Sequence, residues 1–591
     1  MDSATVGTAG AGPLKATTAP AASSCRPIRF NMCLLLPEVT SLGTARNPTP
    51  QAQCPASRRR EDAGKTHATQ AREDPDLEAY LYRFFAALAL LAATVLPAGP
   101  ALPASERIDQ AVVEFRTLTE HRSVWSDPAR HRALLQEIWA LYDDGLDPEH
   151  YAFSQLREAS PANAACFENL ATRAYLHALD DLRHGRLDPE AAEPVWHSGA
   201  PPARTDAATL ARQAVDGLDD LAAGFESARP DVPAYKPLRQ HLAELRARAG
   251  MAEAPRVPAG PMLRPGELHL TVPLLRERLA RQGFAVLPEG DPMRFDGALA
   301  TMLQHFQQAH TLKPDGVLGP ATRNELNQDI QTRIARARVN LERWRWLASE
   351  LKPTQLRVDI AAAELRYLRE GELRWNSRVQ VGRGERPTPL LHSAVSHITL
   401  NPPWVVPPTI LRKDKLPAIR ANPRVLEESD MRVFDRSGTE LDPATIDWNA
   451  PGPITLRQDP GPRNALGQAA IRFPNPFAVY LHDTPSQMQF TSWQRTFSSG
   501  CVRVERALEL AELLLADGAG ITSEKVAATL GDGKTRNLHL QTPIPILMAY
   551  WTADAGPDGE LRWRPDSYEH DQKIADALDH AGAHDLPRCG P

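Results

Sequence analysis

The chain has 591 residues, more than one hydrophobic core can serve, so several domains are expected. A formal net charge of −6 gives no overall basic field and argues against nucleic acid as a partner. Six scattered cysteines, none at C-x-x-C spacing and none beside a zinc-type histidine pair, argue against a disulfide framework and a metal site, and no cofactor is expected.

Residues 1–82 are rich in Ala, Pro, Thr, Ser and Arg, lack helical or strand periodicity, and hold Cys25, Cys33 and Cys54. They are expected to be a disordered leader or to precede the true translation start. In residues 83–104 an apolar run of 13 residues, Phe84 to Leu96, follows Arg83 and precedes a small-residue stretch. That length suits a secretory h-region and falls short of the roughly 20 residues that cross a bilayer; a buried core helix is the alternative. Export follows from the first reading, with cleavage after Ala101 or Ala104, or retention as an anchor.

Residues 105–250 carry amphipathic helical runs. Leu134, Leu135, Ile138, Leu141 and Tyr142 fall at the three-and-four spacing of one helix face, and Gly145 and Gly185 are placed to end helices. Cys166 lies in an apolar helical context and reads as core. Residues 251–266, rich in Pro, Ala and Gly, read as a linker. Residues 267–328 alternate short helices with the Asp296-Gly297 and Asp315-Gly316 turns. Phe306-Gln307, the run from Asp315 to Pro320, and Thr322 as a helix cap resemble the PG-binding-domain-1 family, a three-helix module associated with cell-wall glycopeptide. A spacer that binds nothing is the alternative. From Leu326 through Ile330, Ile334, Ala337, Leu341, Trp344 and Leu347 one apolar stripe predicts a long connecting helix, assigned to 329–352 and stopped by Pro353.

At Leu356 the period changes to two, with Glu370-Gly371 as a hairpin turn, and a β-rich domain is expected over 353–541. The stretch from Val479 to Leu514 reads as a strand ending at His482, a polar loop, and Cys501 at the mouth of a helix. A thiol at a helix N-terminus is pushed toward thiolate, from about 8.5 to below about 7.5. His482 precedes Cys501 by 19 residues, enough chain for imidazole and sulfur to meet as an activated nucleophile requires. Gly500 permits a tight backbone approach, and the amides beside Cys501 are candidate oxyanion donors. Taken alone, these residues also fit a buried cysteine and a satisfied strand-end histidine.

His482-Asp483-Thr484-Pro485, then Ser498, Gly500, Cys501, Val502 and Arg503, resemble the signature of the YkuD-type L,D-transpeptidases, specifically their YcbB-like branch. Many members carry a second histidine two residues before the cysteine; Ser499 stands there in this chain. Further matches begin at Asp180, Val381, Asp459 and Thr542. The resemblance implies a multidomain α+β protein: an N-terminal α-helical scaffold, a small three-helix peptidoglycan-binding module, and a C-terminal mostly-β catalytic domain. A capping subdomain at about 407–472, a segment 542–575 packing on scaffold or catalytic domain, and a tail 576–591 complete it.

The resemblance also implies that Cys501 attacks a tetrapeptide stem, releases D-alanine and leaves a thioester, with His482 as base and then acid. A second stem's diaminopimelate amine resolves it. Arg503 positions a carboxylate or braces the loop, and Ser499 belongs to the active-site loop. Tyr480, Trp404 and Asn401 are expected to help build the donor cleft. Expected partners are peptidoglycan stem peptides and glycan in the periplasm; an inner-membrane anchor and other wall-synthesis enzymes stay open. A carboxypeptidase, a hydrolase releasing wall-linked protein, and an inert wall-binding scaffold are the alternatives. Cys589 reads as an exposed, incidental thiol that pairs, if at all, with a partner.

Overall fold

A computed structural model describes residues 104–158, 164–193, 196–197, 204–251, 254–555 and 560–589. The expected leader, its three cysteines and the apolar run from Phe84 lie outside the described residues. Among the described residues, no helix is long and apolar enough to cross a membrane.

The protein is α+β, with a helical N-terminal region, a small helical module and a β-rich C-terminal region. In the first region six longer helices are α1 (Ala104–Leu118), α2 (Pro128–Ala140), α3 (Ala164–His184), α4 (Ala207–Asp216), α5 (Leu221–Ala228) and α6 (Tyr235–Ala249). Aspartates start several of them. Asp127, Asp206 and Asp220 each accept a hydrogen bond from an orphan amide of the first turn, a cap worth about 1 kcal/mol. Of the stripe read on α2, Leu134, Ile138 and Leu141 are buried, but Tyr142 is exposed and covered by the Arg246 guanidinium, whose Cζ is 3.5 Å from the ring centroid.

The module holds α7 (Val272–Arg281), α8 (Gly297–Ala309) and α9 (Pro320–Leu326). Gln307 organises its Asp-Gly turn, taking the Gly316 amide on Oε1 and donating Nε2 to Asp315, Val317 and Thr322. Thr322 is thus a buried acceptor, not a helix cap; Gly319 stands at the cap position and makes no side-chain bond. The expected linker is partly core, because Val257 and Leu263 are buried with the module's aliphatic residues. The long stripe also breaks. Leu326 ends α9, and α10 (Ile330–Leu347) starts anew with Asp329 capping the Thr332 amide.

The sixteen strands among the described residues are β1 (Trp196–His197), β2 (Gln355–Asp359), β3 (Glu364–Arg369), β4 (Glu372–Gly382), β5 (Leu390–Leu400), β6 (Trp404–Val405), β7 (Met431–Phe434), β8 (Glu440–Leu441), β9 (Thr455–Gln458), β10 (Ala469–Arg472), β11 (Leu481–His482), β12 (Thr496–Ser498), β13 (Val502–Val504), β14 (Arg536–Ala549), β15 (Ala553–Ala555) and β16 (Leu561–Trp563). The β3–β4 hairpin turns at Glu370 and Gly371, both at positive φ, as a two-residue turn requires. The main sheet runs β1-β5-β10-β11-β13-β4-β3-β2-β14, and because β14 also pairs with β5 its path closes into a ring of eight strands. Strand β1 extends the sheet from the helical region, pairing Trp196 with Leu390.

Two boundaries shift. Strand β14 runs through residues 541 and 542, since its first half pairs with β5 and its aliphatic second half pairs with both β5 and β2. The capping sheet, β6-β9-β7-β8, has its own small core, but residues 469–472 belong to the main sheet as β10. Three short helical pieces, Pro408–Ile410, the π-helical Leu411–Lys415, and Leu416–Ala421, complete the cap. After β13 comes α11 (Ala507–Ala519), and after β16 comes α12 (Asp571–His580), which packs on α10.

Cys166 and Cys589 form a disulfide across 423 residues of sequence. This overturns the reading of Cys589 as an incidental thiol, and Cys166, read as a core residue, is half-buried and bonded to it. Nearby, His584 stacks on His177 of α3 and bonds Asp181, so the segment after α12 lies along the helical region. Cys501 is the free cysteine among the described residues.

Candidate active site

The register of three short strands builds the site. Strand β11 runs parallel to β13, with Leu481 opposite Val502 and His482 opposite Arg503. Leu481, Val502 and Val504 are fully buried toward the core. Side chains alternate along a strand, so Tyr480 and His482 on one and Cys501 and Arg503 on the other share the opposite face. Tyr480 stands level with Cys501. His482 is one pleat further on, about 8 Å from Cys501 between Cα atoms at the usual strand spacing and rise, a gap an imidazole and a thiol can span.

Two flanking strands widen this face. On β10, Ala470 opposes His482 and Ile471 opposes Leu481, which brings Arg472 level with Tyr480. The Arg472 Cζ lies 3.8 Å from the Tyr480 ring centroid. On β4, Gln380 opposes Arg503 and accepts its Nη1 at 3.0 Å. Arg472, Tyr480 and Cys501 therefore form a row across three strands.

His482 is buried, and its Nδ1 is 2.5 Å from the Asp483 carbonyl oxygen. A carbonyl only accepts, so Nδ1 carries the proton and Nε2 keeps its lone pair. Burial pushes the imidazole pKa down to about 3, against the Asp483 carbonyl's opposing effect and with Arg503 and Arg472 adding to the depression. The ring is neutral at pH 7.

Cys501 is half-buried, with its sulfur 4.0 Å from the Ala478 carbonyl. Burial pushes the thiol up; hydrogen bonds from the Tyr480 backbone and hydroxyl, and the Arg472 and Arg503 charges, act against this. The expectation of a thiolate at a helix mouth is thus corrected. Helix α11 begins only at Ala507, with β13 between, so Cys501 does not stand at the N-terminus of that helix. The resting pair is a neutral thiol and a neutral imidazole. Burial, and then the charge of Cys501 when it ionises, hold the Tyr480 hydroxyl protonated.

Gly500 sits at φ 114°, a conformation that strains any other residue. Its amide donates to Ser498 Oγ at 3.1 Å, and its carbonyl accepts from Thr388 Oγ1 at 2.9 Å. The Gly500 N–H expected in an oxyanion hole is therefore engaged by Ser498. Ser499 Oγ accepts from Arg386 at 3.0 Å and Arg383 at 3.4 Å, and Arg386 also grips Asp414 of the cap at 2.8 Å. Of the three donor-cleft candidates, Tyr480 is the one the register sets beside Cys501. Asn401 donates its amide to the Leu530 carbonyl at 3.1 Å, and Trp404 packs into the cap core with Lys415 Nζ 5.5 Å from its ring.

Arg472, Gln380, Arg383, Arg386 and Thr388 were not foreseen. Each reaches the site through strand pairing or a loop crossing that no local spacing encodes. Arg383 donates to Ser499, Arg472 lies on Tyr480 and Arg503 donates to Gln380; among the described residues none of the three is within ion-pair distance of a carboxylate.

Three family models match the chain: "L,D-transpeptidase catalytic domain" of the YkuD family over 353–544, "Scaffold domain" over 110–242, and "Putative peptidoglycan binding domain" over 269–326. A curated relative, "Putative L,D-transpeptidase" of Haemophilus influenzae, is 37% identical over 220 residues. The match covers 37% of this chain and 44% of that protein, so the chain spans under half the length of the curated relative. An L,D-transpeptidase from Mycobacterium smegmatis is 14% identical, covering 33% of this chain and 58% of its own, at a TM-score of 0.16. One from Stackebrandtia nassauensis is 11% identical, covering 50% and 96%, at 0.18. By its matched segments, the chain holds an L,D-transpeptidase catalytic domain of the YkuD family at 353–544, joined to a scaffold domain and a peptidoglycan-binding-type module.

Proposed function

We propose that this protein is a peptidoglycan L,D-transpeptidase that joins two diaminopimelate residues through a thioester on Cys501. The observation that carries this reading is the shared sheet face: a thiol and a neutral imidazole beside arginines that have no carboxylate partner among the described residues. Guanidinium groups left without an internal counter-charge suit a substrate that brings its own carboxylates, as a stem peptide does.

The chemistry follows from the protonation states. As the Cys501 sulfur attacks the carbonyl between diaminopimelate and the terminal D-alanine, His482 Nε2 takes the thiol proton. The C–N bond breaks, the same proton goes to the leaving D-alanine amine, and the thioester remains. A side-chain amine of a second stem then attacks; His482 takes its proton and returns it to the departing sulfur, restoring the thiol. Tyr480 and Arg472 stabilise the sulfur while it carries negative charge, and Arg503 and Arg383 hold substrate carboxylates. Gly500 and Ser499 shape the loop, and the cap regulates access.

The module and the scaffold hold the enzyme to its polymer. Action on peptidoglycan in turn places it outside the cytoplasm, in the periplasm, within wall biogenesis and the control of cell shape.

Purified protein incubated with disaccharide-tetrapeptides tests the reading. Cross-linked dimer and free D-alanine are expected, together with a mass adduct on Cys501 after carbapenem treatment; Cys501→Ala should lose all three. Tripeptide without dimer would assign hydrolysis instead, and an unchanged Cys501→Ala variant would end the cysteine mechanism.

A further inference from the structure

The row of side chains that begins at Cys501 does not stop at Arg472. Strand β5 sets His397 opposite Arg472, and β14 sets His539 opposite His397, with the two imidazoles 5.0 Å apart. Residues opposite one another on neighbouring strands share a face. Cys501, Tyr480, Arg472, His397 and His539 therefore line one strip across five strands, about 19 Å from end to end at the usual strand spacing. The strip is open to solvent, since His539 is exposed and the other four are half-buried.

None of these five residues is an acid. Burial, His539 and Arg472 together lower the His397 pKa, so its ring is neutral at pH 7 and Arg472 is the fixed positive charge of the strip. The Arg472 guanidinium lies on the Tyr480 ring and, among the described residues, has no carboxylate within ion-pair distance. Its charge acts on both Cys501 and His482. A cation that acts on both reacting groups is close enough to meet a substrate held between them.

The chemistry identifies what passes over this strip. On acylation the leaving D-alanine nitrogen takes its proton from His482 Nε2; on resolution the incoming nitrogen gives a proton to the same atom. Both amines therefore occupy one place above β11, in turn. They also bear the same neighbour. D-alanine has a carboxylate on the carbon next to its nitrogen, and so does the D-centre of diaminopimelate.

We propose that Arg472 reads this α-carboxylate, first on the leaving D-alanine and then on the second stem, and so determines which amines resolve the thioester. The proposal rests on the transpeptidase reading above and adds to it the selection of the second substrate. Guanidinium and carboxylate meet through two parallel hydrogen bonds, which hold the neighbouring amine in place over the thioester. Its nitrogen bonds the carbonyl carbon, the C–S bond breaks, and the amine proton passes through His482 to the sulfur. An amine whose carboxylate is amidated offers Arg472 no charge and loses this grip.

A disaccharide-tripeptide carries no terminal D-alanine and acts only as an acceptor, which makes the test direct. Full-length protein is given disaccharide-tetrapeptide as donor and an equal mixture of two tripeptide acceptors, one with its D-centre carboxyl free and one with it amidated. The tripeptide-to-tripeptide dimers are then counted by mass spectrometry. Both acceptors compete for one acyl-enzyme, so their ratio does not depend on how fast it forms or on how much of a variant is folded. The free carboxylate is expected to win by about tenfold or more. Arg472→Met should bring the ratio close to one through loss of the free acceptor. Arg472→Lys, which keeps the charge without the fork, should fall between, and gives the same reading if the methionine variant is too slow. An even ratio in the unaltered protein, or an undiminished preference in both variants, would overturn the proposal and leave the transpeptidase reading standing. No dimer of any kind from the unaltered protein would remove that reading, and the proposal with it.

Discussion

Buried charge is handled in opposite ways at the centre of the molecule and at the nucleophile. Along α10, Arg343 binds Glu193 at 3.1 Å and Asp571 at 2.6 Å, while Arg345 binds Glu342 at 2.7 Å, and all these side chains but the partly exposed Asp571 are nearly or wholly inaccessible. Glu342 also accepts from the Leu187 amide and the Trp346 indole, so the network closes on itself. Around Cys501 the guanidiniums of Arg472, Arg503 and Arg383 meet a ring, an amide and a hydroxyl instead. A closed network fixes the geometry between domains; an open one waits for a partner from outside.

Variants at the open end should change rates. His482→Ala removes the proton acceptor and is expected to lower Cys501 acylation by about 10²–10⁴-fold, read by mass spectrometry over time, with the fold kept. Variants at the closed end should change stability. Glu342→Ala leaves Arg345, an amide and an indole without their acceptor and should cost roughly 3–5 kcal/mol in a denaturant titration. A loss under about 1 kcal/mol there would erase the contrast. Arg472→Met should reduce kcat/KM on a tetrapeptide about tenfold, about 1.4 kcal/mol, with little change in unfolding. The exposed pair of Arg432 with Glu440 in the cap belongs to neither class, and Arg432→Met should leave the melting temperature within error.

The smallest expected effect concerns pH. With the folded His482 pKa depressed to about 3, the folded protein binds fewer protons than the unfolded chain between about pH 3 and 6.5. The contribution of this group to stability is complete above pH 6.5 and is lost as pH falls toward 3. The acylation rate should accordingly show no inflection near 6.5 on going from pH 7 to 5; a drop centred there would mean that the imidazole is solvated.

The contrast also explains what was legible in the sequence. His482, Gly500, Cys501 and Arg503 fall in one short stretch, and the alternation of Leu481, Val502 and Val504 hides in strands of two and three residues. The aliphatic run after Cys501 blends β13 into α11, which is why the sulfur was assigned to a helix mouth. Leu326, Ile330 and Ile334 keep a four-residue spacing by coincidence across a break that Asp329 marks with its cap. Arg472 had no signal at all, since its place beside Tyr480 exists only once β10 and β11 pair. The fold class was readable because each region has its own period, whereas the cysteine pairing requires the finished chain.

That pairing sets an order of assembly. Cys589 follows every described domain, so its sulfur cannot reach Cys166 until the ribosome has made the helical region, the module and all three described sheets. The clasp therefore closes only after all the segments between have been translated. Mature protein bearing a blocked Cys589 would still own its nucleophile yet lack the covalent tie that keeps the last segment against α3.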